Sequence, residues 1–268
     1  MKQLLAALSF FTRIPFWKLA TLNTNHYKNL VVFWPMAGWI TGTFMALTFA
    51  FFATFLPVTI AIIIAFIARL LLTGALHEDG FADFFDGFGG GREKGSILRI
   101  MKDSHIGTYG VIALIVYFLL LFNVINSYVL TKQTELINGC FTITDNSFYV
   151  NFRIALIFIA ADPFAKWASS NVVNILPYAR NEQQAKNKLL YNKMTWQQRV
   201  FSLFCGALPV ILFLPLKYII PMTATAIITM VLIFYINKKI NGYTGDCCGA
   251  LFIIAELTFY FLALIISL

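Results

Sequence analysis

Apolar residues in this chain come in long blocks separated by short polar stretches. The clearest blocks are Leu30–Leu56, Val58–Leu76, Tyr109–Leu130, Ile154–Leu176, Val200–Leu216, Tyr218–Ile236 and Cys248–Leu268. Each is near the roughly 17–25 residues that a helix needs to cross about 30 Å of hydrocarbon. The pattern predicts an all-α, polytopic integral membrane protein with about seven transmembrane helices, in a range of six to eight. Pro57 and Pro177 fall at block boundaries, where a missing N–H matters least, and Pro215 falls in a short turn. The tight connections at Pro57 and at Leu216/Lys217 are places where a span could instead be broken or re-entrant. A shorter stretch, Leu4–Phe11, lies between Lys2 and Arg13 and is too short to span. It lacks a small-residue cleavage site, so an interfacial helix is expected rather than a signal peptide, with Trp17 and Lys18 near the headgroups.

Composition agrees with this reading. Of 268 residues, 59% are hydrophobic and 12% charged, against about 25% charged in a typical soluble domain. The formal net charge is +8, and its distribution explains it. Lys2, Arg13, Lys18 and Lys28 precede the first block; Arg92, Lys94, Arg99 and Lys102 follow the second. Arg180, Lys186, Lys188, Lys193 and Arg199 follow the fourth, and Lys238 and Lys239 the sixth. The intervening loops hold little more than Lys132, Arg153 and Lys217. This alternation is the positive-inside pattern of a multi-pass protein of a bacterial inner membrane with a cytoplasmic N-terminus. The partner implied is the lipid bilayer, and nucleic acid is not needed to explain the charge. Cys140, Cys205, Cys247 and Cys248 form no CxxC pair and have no histidine at zinc spacing. No repeat or linker divides the chain, which reads as a single domain, 1–268.

Four of the acidic residues, Glu78, Asp79, Asp83 and Asp86, fall together beside a span. Asp79, Asp83 and Asp86 stand at i, i+4 and i+7, along one helical face. Like charges so placed repel, and Phe81, Ala82, Phe84 and Phe85 between them limit access of water. A hard divalent cation resolves that repulsion. Mg²⁺ prefers carboxylate oxygens and shares them with substrate phosphates, so the three aspartates are candidate magnesium ligands for binding a diphosphate. His77, directly before them, is a candidate acid–base group. The glycines of Phe88–Lys94 would let backbone approach an anion, with Arg92 as a phosphate contact. Asp103 is either a further carboxylate at the metals, with Lys102 close by, or the cap of the next helix. A third polar cluster, Asn241–Asp246, lies on the same expected side. Asp246 there is a candidate base or ligand, with helix capping as its competing role. The active-site elements are thus 73–110 and 241–250, facing the cytoplasm. Asp162 and Lys166, four apart in a span, are expected to neutralise each other. Glu256, deep in the last block, has no local partner.

The string His77–Gly87, followed by Ile100–Gly107, closely resembles cobalamin synthase, the adenosylcobinamide-GDP ribazoletransferase family. Phe11-Thr12-Arg13-Ile14-Pro15, Trp34–Gly38, Leu176–Arg180, Gly242–Asp246 and Gly249-Ala250 resemble other elements of that family. The resemblance implies Mg²⁺-dependent joining of adenosylcobinamide-GDP to α-ribazole, or to its 5′-phosphate, with release of GMP. It implies Asp79, Asp83 and Asp86 as metal ligands, and Asp103 and Asp246 at the metal or the attacking hydroxyl. Arg92, Lys102 and Arg180 become the candidates for diphosphate or leaving-group contact. Two positions depart from the family pattern: Lys166, where arginine is usual, and Glu78, where an apolar residue is usual. Oligomeric state is left open, a homo-oligomer included. Two other functions compete. A CDP-alcohol-type membrane phosphotransferase would need an arginine after the Asp-Gly pair, where this chain has Phe81-Ala82-Asp83. An ion-coupled transporter would place its acids near the bilayer midplane, usually within inverted repeats.

Overall fold

The computed structural model describes residues 1–138, 148–180 and 190–268. Lys186, Lys188 and Cys140 lie outside them. The helices are α1 (Lys2–Phe11), α2 (Thr24–Lys28), α3 (Trp34–Phe52), α4 (Val58–Thr73), α5 (Leu76–Gly90) and α6 (Lys94–Ile100). They continue with α7 (Thr108–Asn138), α8 (Phe148–Ile175), α9 (Trp196–Phe213), α10 (Ile219–Ile240) and α11 (Gly245–Ile265). Among the described residues no strand forms; the one β-type contact is an isolated bridge between Tyr178 and Tyr243.

Six helical stretches are long and apolar enough to cross a membrane, and the pair α4–α5 makes a seventh if counted as one span. The all-α polytopic expectation holds. Large apolar side chains on the outer faces, among them Leu119, Phe204 and Ile227, are more than half exposed. A soluble surface rarely carries so much contiguous apolar area, whereas lipid accepts it. The short Leu4–Phe11 stretch forms α1 and buries Ala6, Ala7, Leu8 and Phe11 against the bundle.

The break in the second span is not at Pro57, which starts α4, but at Gly74-Ala75. Both residues are left-handed, with φ of 68° and 56°, and the helices on either side diverge by 89°. The turn has little spare room. A Cβ on Gly74 would sit 2.6 Å from Arg13 Nε. The Arg13 backbone N–H donates to Leu72 O at 2.7 Å, satisfying a carbonyl that the break releases. The Leu216/Lys217 connection, in contrast, joins two separate spanning helices.

Between helices, packing replaces the hydrophobic drive that lipid cannot supply, so small residues mark the close crossings. Gly38 and Gly42 of α3 form a small-xxx-small stripe against α8. A Cβ on Gly42 would meet Phe158 O at 2.5 Å, and one on Gly38 would meet Pro163 Cα at 2.6 Å. At this crossing Asp162 accepts from Thr41 Oγ1 at 2.7 Å and pairs with Lys166. A second crossing brings α5 onto α11. Here a Cβ on Gly80 would lie 3.1 Å from Asp246 Cα, and one on Gly249 would lie 3.1 Å from His77 O.

Two buried polar contacts fix α5 against the remaining helices. The Arg69 guanidinium of α4 donates to both Glu256 oxygens of α11 at 2.6 Å and to Tyr117 Oη of α7 at 2.9 Å. It also lies 3.6 Å from Glu78 of α5. Asp86 accepts from the backbone N–H of Gly107 at 2.6 Å and of Gly110 at 2.8 Å. It therefore caps α7 from a neighbouring helix, the service an N-cap side chain usually gives its own. A Cβ on Gly110 would lie 2.5 Å from the Asp86 carboxylate.

These contacts predict two costs, both read by thermal unfolding in nanodiscs. Arg69→Leu strands buried carboxylates and destabilises by about 3–5 kcal/mol, as breaking one partner of a buried pair does. Gly110→Ala pushes Asp86 off the α7 terminus and costs about 1–3 kcal/mol, the penalty of an unsatisfied buried acceptor.

Candidate active site

The site forms where four chain segments meet at one end of the bundle: the first turn of α5, the first turn of α11, the residues after α8, and α1 with the start of α3. After α8 the chain pairs at Tyr178 with the turn before α11. Tyr243 N donates to Pro177 O at 2.9 Å, and Ala179 N to Tyr243 O at 2.8 Å. Gly242, at φ 150°, is needed there, because a Cβ would lie 2.5 Å from Pro177 O. This pairing sets Arg180 beside the α11 N-terminus, where its Nη2 donates to Leu98 O at 3.0 Å.

The helix cap of α11 is Thr244, whose hydroxyl accepts from Cys247 N. Asp246 is therefore not spent as the cap. It stands in the first helical turn, buried, where the N-terminal dipole favours a negative charge. The Gly80–Asp246 contact holds the start of α5 directly against it.

A cavity of about 250 Å³ lies between these segments, and His77, Asp79, Arg180 and Asp246 all line it. Asp79 is exposed; His77, Arg180 and Asp246 are buried. Much of the remaining wall is aromatic: Phe11, Trp34, Tyr178, Tyr191 and Phe252. Lys166 also reaches the cavity, with its ammonium 4.1 Å from the Phe252 ring centre and already bonded to Asp162 and Thr41. Burial pushes the Tyr178 phenol up to about 12, so it stays neutral at physiological pH.

The structure divides the candidate residues into two sets. His77, Asp79, Arg180 and Asp246 come together. Arg92, Lys102 and Asp103 do not line the cavity; all three are exposed on the α5–α6–α7 connection. Asp103 caps neither α6 nor α7. It accepts from the His105 N–H at 3.0 Å in a local turn, which with the His105 ring holds its carboxyl below the usual carboxylate range. The three-aspartate face runs from water into the protein: Asp79 exposed, Asp83 half-buried, Asp86 buried and occupied with α7. Among the described residues no three His, Cys, Asp or Glu side chains stand close enough to hold an ion unaided. Sequence reasoning assigned no part to Tyr191, Phe252 or Tyr178. Phe11, Trp34 and Tyr178 did carry a signal, since each lies in a string resembling the family. Tyr191 and Phe252 carried none.

A family model described as cobalamin-5-phosphate synthase, CobS, matches residues 3–264. A Leptospira biflexa protein named adenosylcobinamide-GDP ribazoletransferase is 34% identical over 248 residues, covering 91% of this chain and 88% of its own. One of the same name from Shewanella baltica is 30% identical over 264 residues, covering 98% and 94%. A third, from Leptospira interrogans, is 31% identical and covers 95% and 92%. No solved structure matches the chain. With the family model spanning residues 3–264 and these relatives covering 91–98% of the chain, the chain belongs to the cobalamin-5-phosphate synthase family.

Proposed function

We propose that this protein joins adenosylcobinamide-GDP to α-ribazole, or to its 5′-phosphate, at the cytoplasmic face of a bacterial inner membrane, with Mg²⁺ as cofactor. The observation that carries the reading is the convergence of Asp79, Asp246, His77 and Arg180 on one cavity from three separate stretches of sequence. The relatives' name supports the substrates, and the alternation of basic loops supports the orientation.

The carboxylates fit magnesium in the way that ion usually binds, through one or two carboxylates completed by substrate phosphates. Asp79 and Asp246 would hold it, from helices locked together at Gly80, with Asp83 one turn along the Asp79 face. Bound there, the ion would offset charge on the diphosphate.

The remaining chemistry belongs to the chain. Arg180 offers its guanidinium to phosphate oxygens from a position fixed by the Leu98 carbonyl. A ribose hydroxyl of the acceptor attacks the phosphorus attached to cobinamide, the bond from that phosphorus to the GMP oxygen breaks, and GMP departs with its electrons. The hydroxyl proton passes to a base lining the cavity, for which His77 and Asp246 are the candidates. The aromatic wall keeps bulk water, the competing nucleophile, away from the donor.

The test is GMP release by purified protein in nanodiscs given adenosylcobinamide-GDP, α-ribazole and Mg²⁺. Asp79→Asn and Asp246→Asn are each expected to lower the rate at least about 100-fold, the scale of losing a catalytic acid–base group, and EDTA to stop wild type. Undiminished release in EDTA, or an Asp79→Asn variant at the wild-type rate, would exclude the metal–carboxylate account.

A further inference from the structure

The chemistry above uses the carboxylates and Arg180 but leaves the most buried part of the cavity wall unexplained. There the rings form a continuous run. Tyr191 meets Trp34 with centroids 5.6 Å apart, Trp34 meets Phe11 at 5.5 Å, Phe11 meets His77 at 5.4 Å, and His77 meets Phe252 at 4.1 Å. Trp34 and His77 are 3% and 6% exposed, and neither Trp34 Nε1 nor His77 Nε2 has a hydrogen-bond partner among the described residues. Buried polar atoms are nearly always paired, so two orphans in the wall of one cavity point to a ligand that completes them.

The properties of that ligand follow from the wall. Lys166 is already paired with Asp162 and Thr41, so this part of the lining calls for a neutral group rather than an anion. The run, edge to face from Tyr191 to Phe11 and tilted from Phe11 to Phe252, suits a flat aromatic base. A guanine edge carries several donors and acceptors and would leave most of them unmet here, at a cost. A base with few polar edge atoms, carried on a ribose whose hydroxyls can both accept and donate, fits both orphans. The cavity, at about 250 Å³, falls just below the roughly 300–1,000 Å³ of pockets for drug-sized ligands. It suits a nucleoside beside a diphosphate and leaves the corrin body of the donor outside.

We propose that this aromatic pocket is the acceptor subsite. It binds the α-ribazole nucleoside without help from donor or metal, with Trp34 Nε1–H donating to the acceptor and His77 Nε2 pairing with a ribose hydroxyl. The corrinoid donor then approaches from the Asp79 side and meets a hydroxyl already in place. This rests on the reaction proposed above and adds the residues that determine acceptor affinity, Trp34 and Tyr191.

The experiment is equilibrium binding of radiolabelled α-ribazole to the full chain in nanodiscs, in EDTA and without donor, paired with steady-state turnover. Wild type is expected to bind saturably. Trp34→Phe, which keeps the ring and deletes the donor, weakens binding about 5–10-fold, one hydrogen bond's worth. Tyr191→Leu, at a half-buried position that folding tolerates better, weakens it at least threefold by removing stacking area. In turnover both variants raise KM for α-ribazole and leave kcat and the donor KM near wild type. The subsite is overturned if α-ribazole binds only with donor or metal present, if GMP competes with it in this assay, or if both variants bind it as wild type does. Product formed by wild type while the acceptor KM of both variants is unmoved removes the subsite alone. No product from wild type with either ribazole form removes the reaction itself.

Discussion

A helix interrupted within apolar surroundings must find partners for its released backbone groups and its charges inside the protein, because lipid supplies none. The α4–α5 break at Gly74-Ala75 is governed by that constraint, and the site is built around how it is met. The Arg13 N–H takes the Leu72 carbonyl. Arg69, one turn before the break, neutralises Glu256 and lies beside Glu78, so charges from three helices resolve one another in a dry interior. Such clusters contribute little net stability against apolar replacements, but losing one member is expensive. What they provide here is a defined direction for α5.

With its direction fixed, α5 delivers its first turn to the start of α11. The glycines at 80 and 249 make that approach close, and the consequence is chemical as well as steric. Two helix beginnings, with Asp79 on one and Asp246 on the other, share a single cavity. Thr244 and Asp86 take over the capping of α11 and α7, so Asp246 stands at the cavity and not at the cap position. The aspartate face seen in the sequence thus divides its labour along its length. Its outer member meets the cavity, and its inner member anchors the bundle.

Much of this was legible beforehand and some was not, for physical reasons. Block length set the helix class and nearly the span count, since hydrocarbon thickness imposes a length that composition reports directly. Alternating loop charge and the resemblance put 73–110, Arg180 and 241–250 on one expected side, and the fold brings His77, Asp79, Arg180 and Asp246 of these to one cavity. The break at Gly74-Ala75 was not foreseen, because Ala75, an ordinary helix former, adopts a left-handed φ of 56° that its residue type does not signal. Asp86 read like Asp79 and Asp83 because periodicity gives a face and not what that face meets. Arg92 and Lys102 looked equivalent to Arg180 as phosphate contacts; only the fold separates exposed loop charges from a guanidinium held at the cavity. Tyr191 and Phe252 could not be picked from 28 Phe and 11 Tyr on sequence grounds.

The central claim is that phosphoryl transfer takes place between the first turns of α5 and α11. The most direct measurement is an electron cryo-microscopy structure of the protein in nanodiscs with Mg²⁺ and a non-hydrolysable adenosylcobinamide-GDP analogue. Diphosphate density is expected between Asp79, Asp246 and Arg180. Density instead beside Arg92, Lys102 and Asp103, with the α5–α11 cavity empty, would contradict the claim.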